Sequence, residues 1–139
     1  LVHGSPLEPA AEYLWGGQET AVSLRYLYAE GFKLCFCGHT HQAAFYYADR
    51  GEHGALYPEP EQTITLDKDC CIVNPGSIGF PRILDATEDR ATALADKAHF
   101  PAYFALWDTT ARTITFKAAY YDVRPTNEKI AQRLGTALL

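Results

Sequence analysis

The sequence predicts an α/β fold, with α+β the alternative: a few helices layered against a pair of sheets. Three observations carry the prediction. Short apolar runs of strand length recur along the chain, whereas only two stretches show clear helical spacing. Two of those runs, residues 34–37 and 70–73, are apolar without alternation, the pattern of strands covered on both faces. Strands that outnumber helices in this way bury their apolar faces in sheet layers, not in a helical bundle.

Residues 1–4 read as the end of a strand that Ser5-Pro6 breaks. Residues 6–17 gather Pro6, Pro9, Gly16 and Gly17 around Tyr13, Leu14 and Trp15, an ordered loop with aromatic anchors. Ala21, Leu24, Leu27 and Tyr28 recur at helical spacing within residues 18–30, and Gly31 is placed to end that helix. Residues 33–37 form a buried strand. Residues 42–48 form another, with Phe45, Tyr46 and Tyr47, and residues 49–62 are expected to be a polar excursion. Residues 63–66 alternate as a strand, residues 70–73 form the second buried run, and Asn74-Pro75-Gly76-Ser77 turns the chain. Residues 82–100, charged and rich in alanine, predict a loop with a helical turn or two. A hairpin follows, 103–107 against 113–121, and a closing helix over 126–134 lies between Pro125 and Gly135.

With 139 residues, 47% apolar and 21% charged, the chain can bury a core of ordinary size and is not of disordered composition. A net charge of −5 excludes broad nucleic-acid binding, which needs a basic footprint. A small phosphorylated ligand remains compatible, because bound cations supply their own positive charge. The apolar runs are too short for a membrane span, and the first residues lack the basic head and apolar stretch of a signal peptide. Cys35, Cys37, Cys70 and Cys71 lie in apolar runs, so they read as reduced core thiols of a cytoplasmic protein. The opening Leu1-Val2-His3-Gly4 begins in mid-strand and without methionine, so further residues are expected upstream.

Three of the five histidines share one setting, the carboxyl end of an apolar run beside a glycine. These are His3, before Gly4, and His39 and His41, after Gly38. Functional groups in open α/β sheets gather outside the carboxyl ends of the strands. The one-residue gap in G-H-T-H puts both rings on one side of an extended segment. A divalent cation is the natural partner of two neutral imidazoles so placed. His53 and His99 lie in polar stretches and carry no such signal.

Val2-His3-Gly4-Ser5-Pro6, then Cys37-Gly38-His39-Thr40-His41, then N-P-G-S-I-G-F-P-R at residues 74–82 resemble, in order, motifs of the calcineurin-like metallophosphoesterase superfamily. The small prokaryotic phosphodiesterase branch is the nearest likeness, and the hairpin of residues 103–121 fits it. The resemblance implies that residues 1–139 are the carboxy-terminal part of a single such domain, a portion of a four-layer αββα sandwich. It also implies two divalent cations, from among manganese, iron, zinc, nickel and magnesium, that activate water against a phosphodiester or phosphomonoester. His3 and His39 would ligate one, and His41 the other. Asn74, Ser77 and Arg82 would border the substrate, Arg82 steadying a phosphate. Tyr13 and Trp15 stand either as a pocket wall or as anchors of their own loop.

The departures matter as much. The family's D-x-H, G-D and G-N-H-[DE] motifs, with the bridging aspartate, the asparagine ligand and the acid histidine, are absent from this sequence. None of the family's acid–base residues is present. The complete protein is therefore expected to be the enzyme and this chain alone inactive, the alternative being a non-catalytic phosphoesterase-like interaction module. Either the amino-terminal half or a second copy of the chain, as a homodimer, is expected to cover the sheet surface that half a sandwich exposes.

Overall fold

The computed structural model describes residues 1–79 and 99–134. In chain order the elements are α1 (Gln18–Ala29), β1 (Leu34–Phe36), β2 (Ala43–Asp49), β3 (Glu52–Leu56), β4 (Thr63–Thr65), β5 (Cys70–Pro75), β6 (His99–Asp108), β7 (Thr113–Asp122) and α2 (Arg124–Leu134). They build two sheets, ordered β1-β5-β2-β3 and β4-β7-β6. Among the described residues only β1 and β5 pair in parallel; every other neighbouring pair is antiparallel. The mixed sheets and few helices match the predicted class.

The period-2 geometry of a strand divides the first sheet's side chains between two cores. On one face Cys35, Ala44, Tyr46, Cys70 and Ile72 pack against Leu24 and Leu27 of α1. On the other, Phe45, Cys71 and Val73 meet Ile114 and Phe116 of β7. Helix, sheet and sheet are thus three successive layers. The division also explains the cysteines: adjacent Cys70 and Cys71 face opposite cores, and all four thiols are free and buried.

α1 is closed at both ends by its own sequence. Glu19 accepts from the N–H groups of Trp15 and Gly17, both at 3.0 Å, and Thr20 Oγ1 accepts from Gly16 N–H at 3.0 Å. These bonds tie the first turn of the helix back to the loop that precedes it. Burial works against Glu19's ionisation, but the Trp15 and Gly17 amides outweigh it and hold the carboxyl below its ordinary value. At the far end Gly31 has φ of 79°, Phe32 N–H reaches Leu27 C=O and Gly31 N–H reaches Tyr28 C=O, a Schellman closure.

Four expectations need correction. Residues 1–4 are not a strand, although Val2 N–H donates to Phe36 C=O (3.0 Å) and Gly38 N–H to His3 C=O (2.9 Å), which lays them beside the end of β1. The supposed polar excursion of residues 49–62 contains β3. Its turn is Arg50-Gly51, both with positive φ (51° and 85°), as a two-residue hairpin loop requires. The strand was hidden by Gly54, whose missing side chain makes room for the ring of its cross-strand partner Tyr47. β6 already begins at His99, inside the expected loop, and the rest of that loop, residues 82–98, lies outside the described residues. α2 starts two residues earlier than predicted, with Pro125 in its first turn.

Burial pushes the thiols up, Cys37 and Cys71 to about 12 and Cys70 to about 11. An unfolded thiol ionises near its ordinary value of 9.0, so the unfolded state gains from alkali before the folded state does. The expected result is a melting temperature that is insensitive to these thiols below pH 9 and falls progressively between pH 9 and 12. Replacing Cys37 with serine, compared by thermal denaturation across that window, flattens the alkaline limb.

Candidate metal centre

The Gly38-His39-Thr40-His41 segment leaves β1 and enters β2, and it is not extended. His39 and His41 both have positive φ, 67° and 63°. Thr40 N–H donates to Gly38 C=O at 2.8 Å, closing a tight turn centred on His39. Non-glycine residues in this region cost about 1–3 kcal/mol each and persist only where their surroundings over-determine them. The alternation used to place both rings on one side therefore does not apply here.

What over-determines the turn is Asn74, fully buried at the end of β5. Its Nδ2 donates to Gly38 C=O (2.8 Å) and to Thr40 Oγ1 (2.9 Å), while its Oδ1 accepts Gly76 N–H (3.0 Å). Thr40 is itself buried, and its hydroxyl also accepts Gln42 N–H. One amide thus ties the histidine loop to the Asn-Pro-Gly-Ser turn. Gly76, with φ of 91°, completes that turn, where an added Cβ would lie 2.8 Å from Tyr103 Cβ.

The His3 loop is fixed separately. Ser5, fully buried, accepts the N–H groups of Leu7 and Glu8, and the N–H groups of His3 and Gly4 both donate to Pro9 C=O. Gly4 has no room for a Cβ, which would meet Glu8 C=O at 2.7 Å. Since Gly38 N–H holds His3 C=O, the two loops meet with their rings facing.

His3 Nε2 and His39 Nδ1 lie 2.8 Å apart. At that separation one nitrogen donates and the other accepts. With both unprotonated, the same atoms aim two lone pairs at one point, and two imidazole nitrogens on a tetrahedral cation stand about 3.3 Å apart at bonds of about 2.0–2.1 Å. A displacement of about half an ångström converts one arrangement into the other, so this pair fits a share of a cation's ligand set. His41 lines the same cleft, of about 440 Å³, with His3, His39 and Ser77. Among the described residues, no group of three His, Cys, Asp or Glu side chains is close enough to hold a metal ion.

The other predicted site residues separate. Asn74 is turned into the chain, where its amide is fully used, a job the sequence reading does not assign. Ser77 lines the cleft; its C=O accepts Tyr103 N–H and its hydroxyl accepts Gly79 N–H. Arg82 lies outside the described residues. Tyr13 stacks on the His39 ring at 3.8 Å between centroids, and Trp15 lies parallel to Tyr13 at 6.0 Å. Sequence reasoning missed Thr40 and Ser5, short polar residues inside the two histidine motifs whose burial was their only signal.

A crystal structure of a metallophosphoesterase from Sphaerobacter thermophilus matches 94% of this chain and 48% of its own, with a TM-score of 0.71 and 25% sequence identity. The chain shares the fold of this metallophosphoesterase. It corresponds to a carboxy-terminal part of that fold and spans about half the length of the neighbour it matches. The metallophosphoesterase fold implies divalent metal use in that family. No protein-family model and no curated protein matches the chain.

Removing the Asn74 amide leaves Gly38 C=O and Thr40 Oγ1 without donors in a buried setting. Asn74→Ala is expected to cost about 1–3 kcal/mol, measured by urea denaturation. Asn74→Asp, which replaces the donor with a charged acceptor against a carbonyl, is expected to cost at least as much. A loss below about 0.5 kcal/mol for both, the usual size for an unremarkable surface change, would contradict this role.

Proposed function

We propose that the complete protein is a metal-dependent phosphoesterase, hydrolysing a small phosphodiester or phosphomonoester, and that this chain supplies one wall of its centre. The observation that carries the reading is the convergence of His3 Nε2 and His39 Nδ1 at 2.8 Å, in a fold shared with a metallophosphoesterase.

In this reading His3 and His39 hold one divalent cation through their unprotonated nitrogens, and His41 contributes to a second. Manganese, iron, zinc, nickel and magnesium all suit imidazole with carboxylate. Bound cations supply Lewis acidity, activating water and neutralising charge on the phosphoryl oxygens. The chain's own residues position and select. Asn74 and Thr40 keep the His39 turn in its strained form, so the ligand nitrogens pay no ordering cost when a cation arrives. Ser77 and Arg82 bind the phosphate of the substrate, and Asn74 sets the turn that carries Ser77. The carboxylates that balance the cations' charge come from the rest of the domain, which leaves this chain inactive alone.

The substrate is a small molecule and not nucleic acid, given the net charge of −5. We place the protein in the cytoplasm on its four free, buried thiols; among the described residues no helix is long and apolar enough to cross a membrane. Among the described residues β6 is an edge strand, with exposed Phe104, Leu106 and Trp107, which supports a covering partner, either the rest of the domain or a second copy of the chain. The non-catalytic reading, a phosphoesterase-like interaction module, draws support from the exposed apolar side chains of β6. It predicts partner binding without turnover.

The complete protein with added manganese is expected to hydrolyse a chromogenic phosphodiester or monoester, and a chelator to abolish the rate. His39→Ala should lower kcat/KM by at least about a hundredfold, since even groups supporting a ligand are worth 10–100-fold. Full activity in that variant, or no turnover with any of the five cations, would sink the reading.

A further inference from the structure

A cavity of about 460 Å³ lies between α1 and the β2–β3 hairpin, at the edge of the first sheet opposite β1. None of its lining residues belongs to the histidine cleft. Small side chains leave it open. Ala48 stands opposite Cys70 on one neighbouring strand and His53 on the other, so the three share the sheet face that α1 covers. Ala48 of β2 and Ala21 of α1 both line the space, and neither reaches far enough to close it. Leu24, buried in the core, adds apolar lining. The exposed Tyr28 ring completes it from the helix, with the Lys33 ammonium 5.4 Å from the ring centroid.

Two arginines from different elements meet this apolar hollow, Arg25 from α1 and Arg50 from the hairpin turn. Asp69 and Glu52 line it as well, yet among the described residues neither arginine has an ion-pair partner. Asp69 Oδ2 instead accepts the backbone N–H of Arg50 at 2.9 Å. That bond steadies the turn at its positive φ of 51° and leaves the guanidinium unengaged. In a chain with 17 acidic against 12 basic residues, two such guanidiniums are not a by-product of excess positive charge. A guanidinium fork matches a planar oxyanion with two parallel N–H bonds. An apolar hollow of about 300–1,000 Å³ with a few polar groups around it is the common form of a small-molecule site.

We propose that this cavity is a second ligand site, separate from the histidines, for a small organic anion. Its apolar body occupies the hollow between α1 and the hairpin, and its oxyanion head, a carboxylate, sulfonate or phosphate, is held by Arg25 and Arg50. Bound there, the anion joins the helix to the hairpin turn and stabilises the folded state by mass action. The inference uses nothing from the phosphoesterase reading.

The complete protein, titrated with 8-anilinonaphthalene-1-sulfonate and followed by the probe's emission, is expected to show one saturable site. Arg25→Gln combined with Arg50→Gln should raise Kd by about tenfold or more, the scale of a lost charge-assisted hydrogen bond. Both side chains are exposed, so the double variant is expected to keep its fold, which circular dichroism checks. N-phenyl-1-naphthylamine, a neutral analogue without the sulfonate, should bind more weakly by about the same factor. His39→Ala should leave Kd for the sulfonate unchanged. An unchanged Kd in the arginine double variant overturns the proposal, as does equally tight binding of the neutral probe. The absence of any saturable binding, as when other polypeptide fills the cavity, overturns it too. Binding lost in His39→Ala would place the anion in the histidine cleft and has the same consequence. A failure to hydrolyse phosphate esters bears on the phosphoesterase reading alone.

Discussion

A single buried amide organises this molecule's chemistry. Asn74 ends the central strand β5, and its two ends reach in opposite directions. Nδ2 takes the carbonyl of Gly38 and the hydroxyl of Thr40 from the histidine loop, and Oδ1 takes the N–H of Gly76 from the following turn. A backbone that places His39 and His41 at positive φ has no local reason to stay there. The energy that keeps it comes from bonds made in a site with no water to compete for them, where each unsatisfied group would cost about 1–3 kcal/mol. The strain of the histidines and the burial of Asn74 are two sides of one arrangement.

From that constraint the rest follows outward. Two apolar faces of one sheet, one under α1 and one under β7, hold β5 and β1 in register, with Cys35 opposite Ile72 and Phe36 opposite Val73. The strand ends are therefore fixed to within the precision of a packed core. Loops carried at those ends inherit that precision. The Ser5 turn places His3 from one side and the Asn74 bonds place His39 from the other, and the nitrogens meet.

Much of this was readable in the residues. The unalternating runs at 34–37 and 70–73 announced strands covered on both faces, and Gly31 announced the end of α1. Their setting singled out His3, His39 and His41, and the structure brings the three to one cleft. The detail that failed was conformational. An extended G-H-T-H would have paired its rings by alternation, yet the structure joins His3 to His39 across 36 positions of sequence, a contact no local pattern encodes. β3 escaped notice because its pairing with β2 depends on Gly54 making room for Tyr47, a relation across strands and not along one. Asn74 was read as bordering the substrate because turn composition does not reveal which way an amide points.

The central claim is that His3 Nε2 and His39 Nδ1 act as one bidentate site that Asn74 holds ready. Nitrogen-15 NMR of the histidine rings during a zinc titration tests it most directly. The account predicts that His3 Nε2 and His39 Nδ1 shift together along a single binding curve, while Nδ1 of His3 and Nε2 of His39 keep their protonated character. Independent curves for the two residues, or a zinc response confined to the other ring nitrogens, would contradict it.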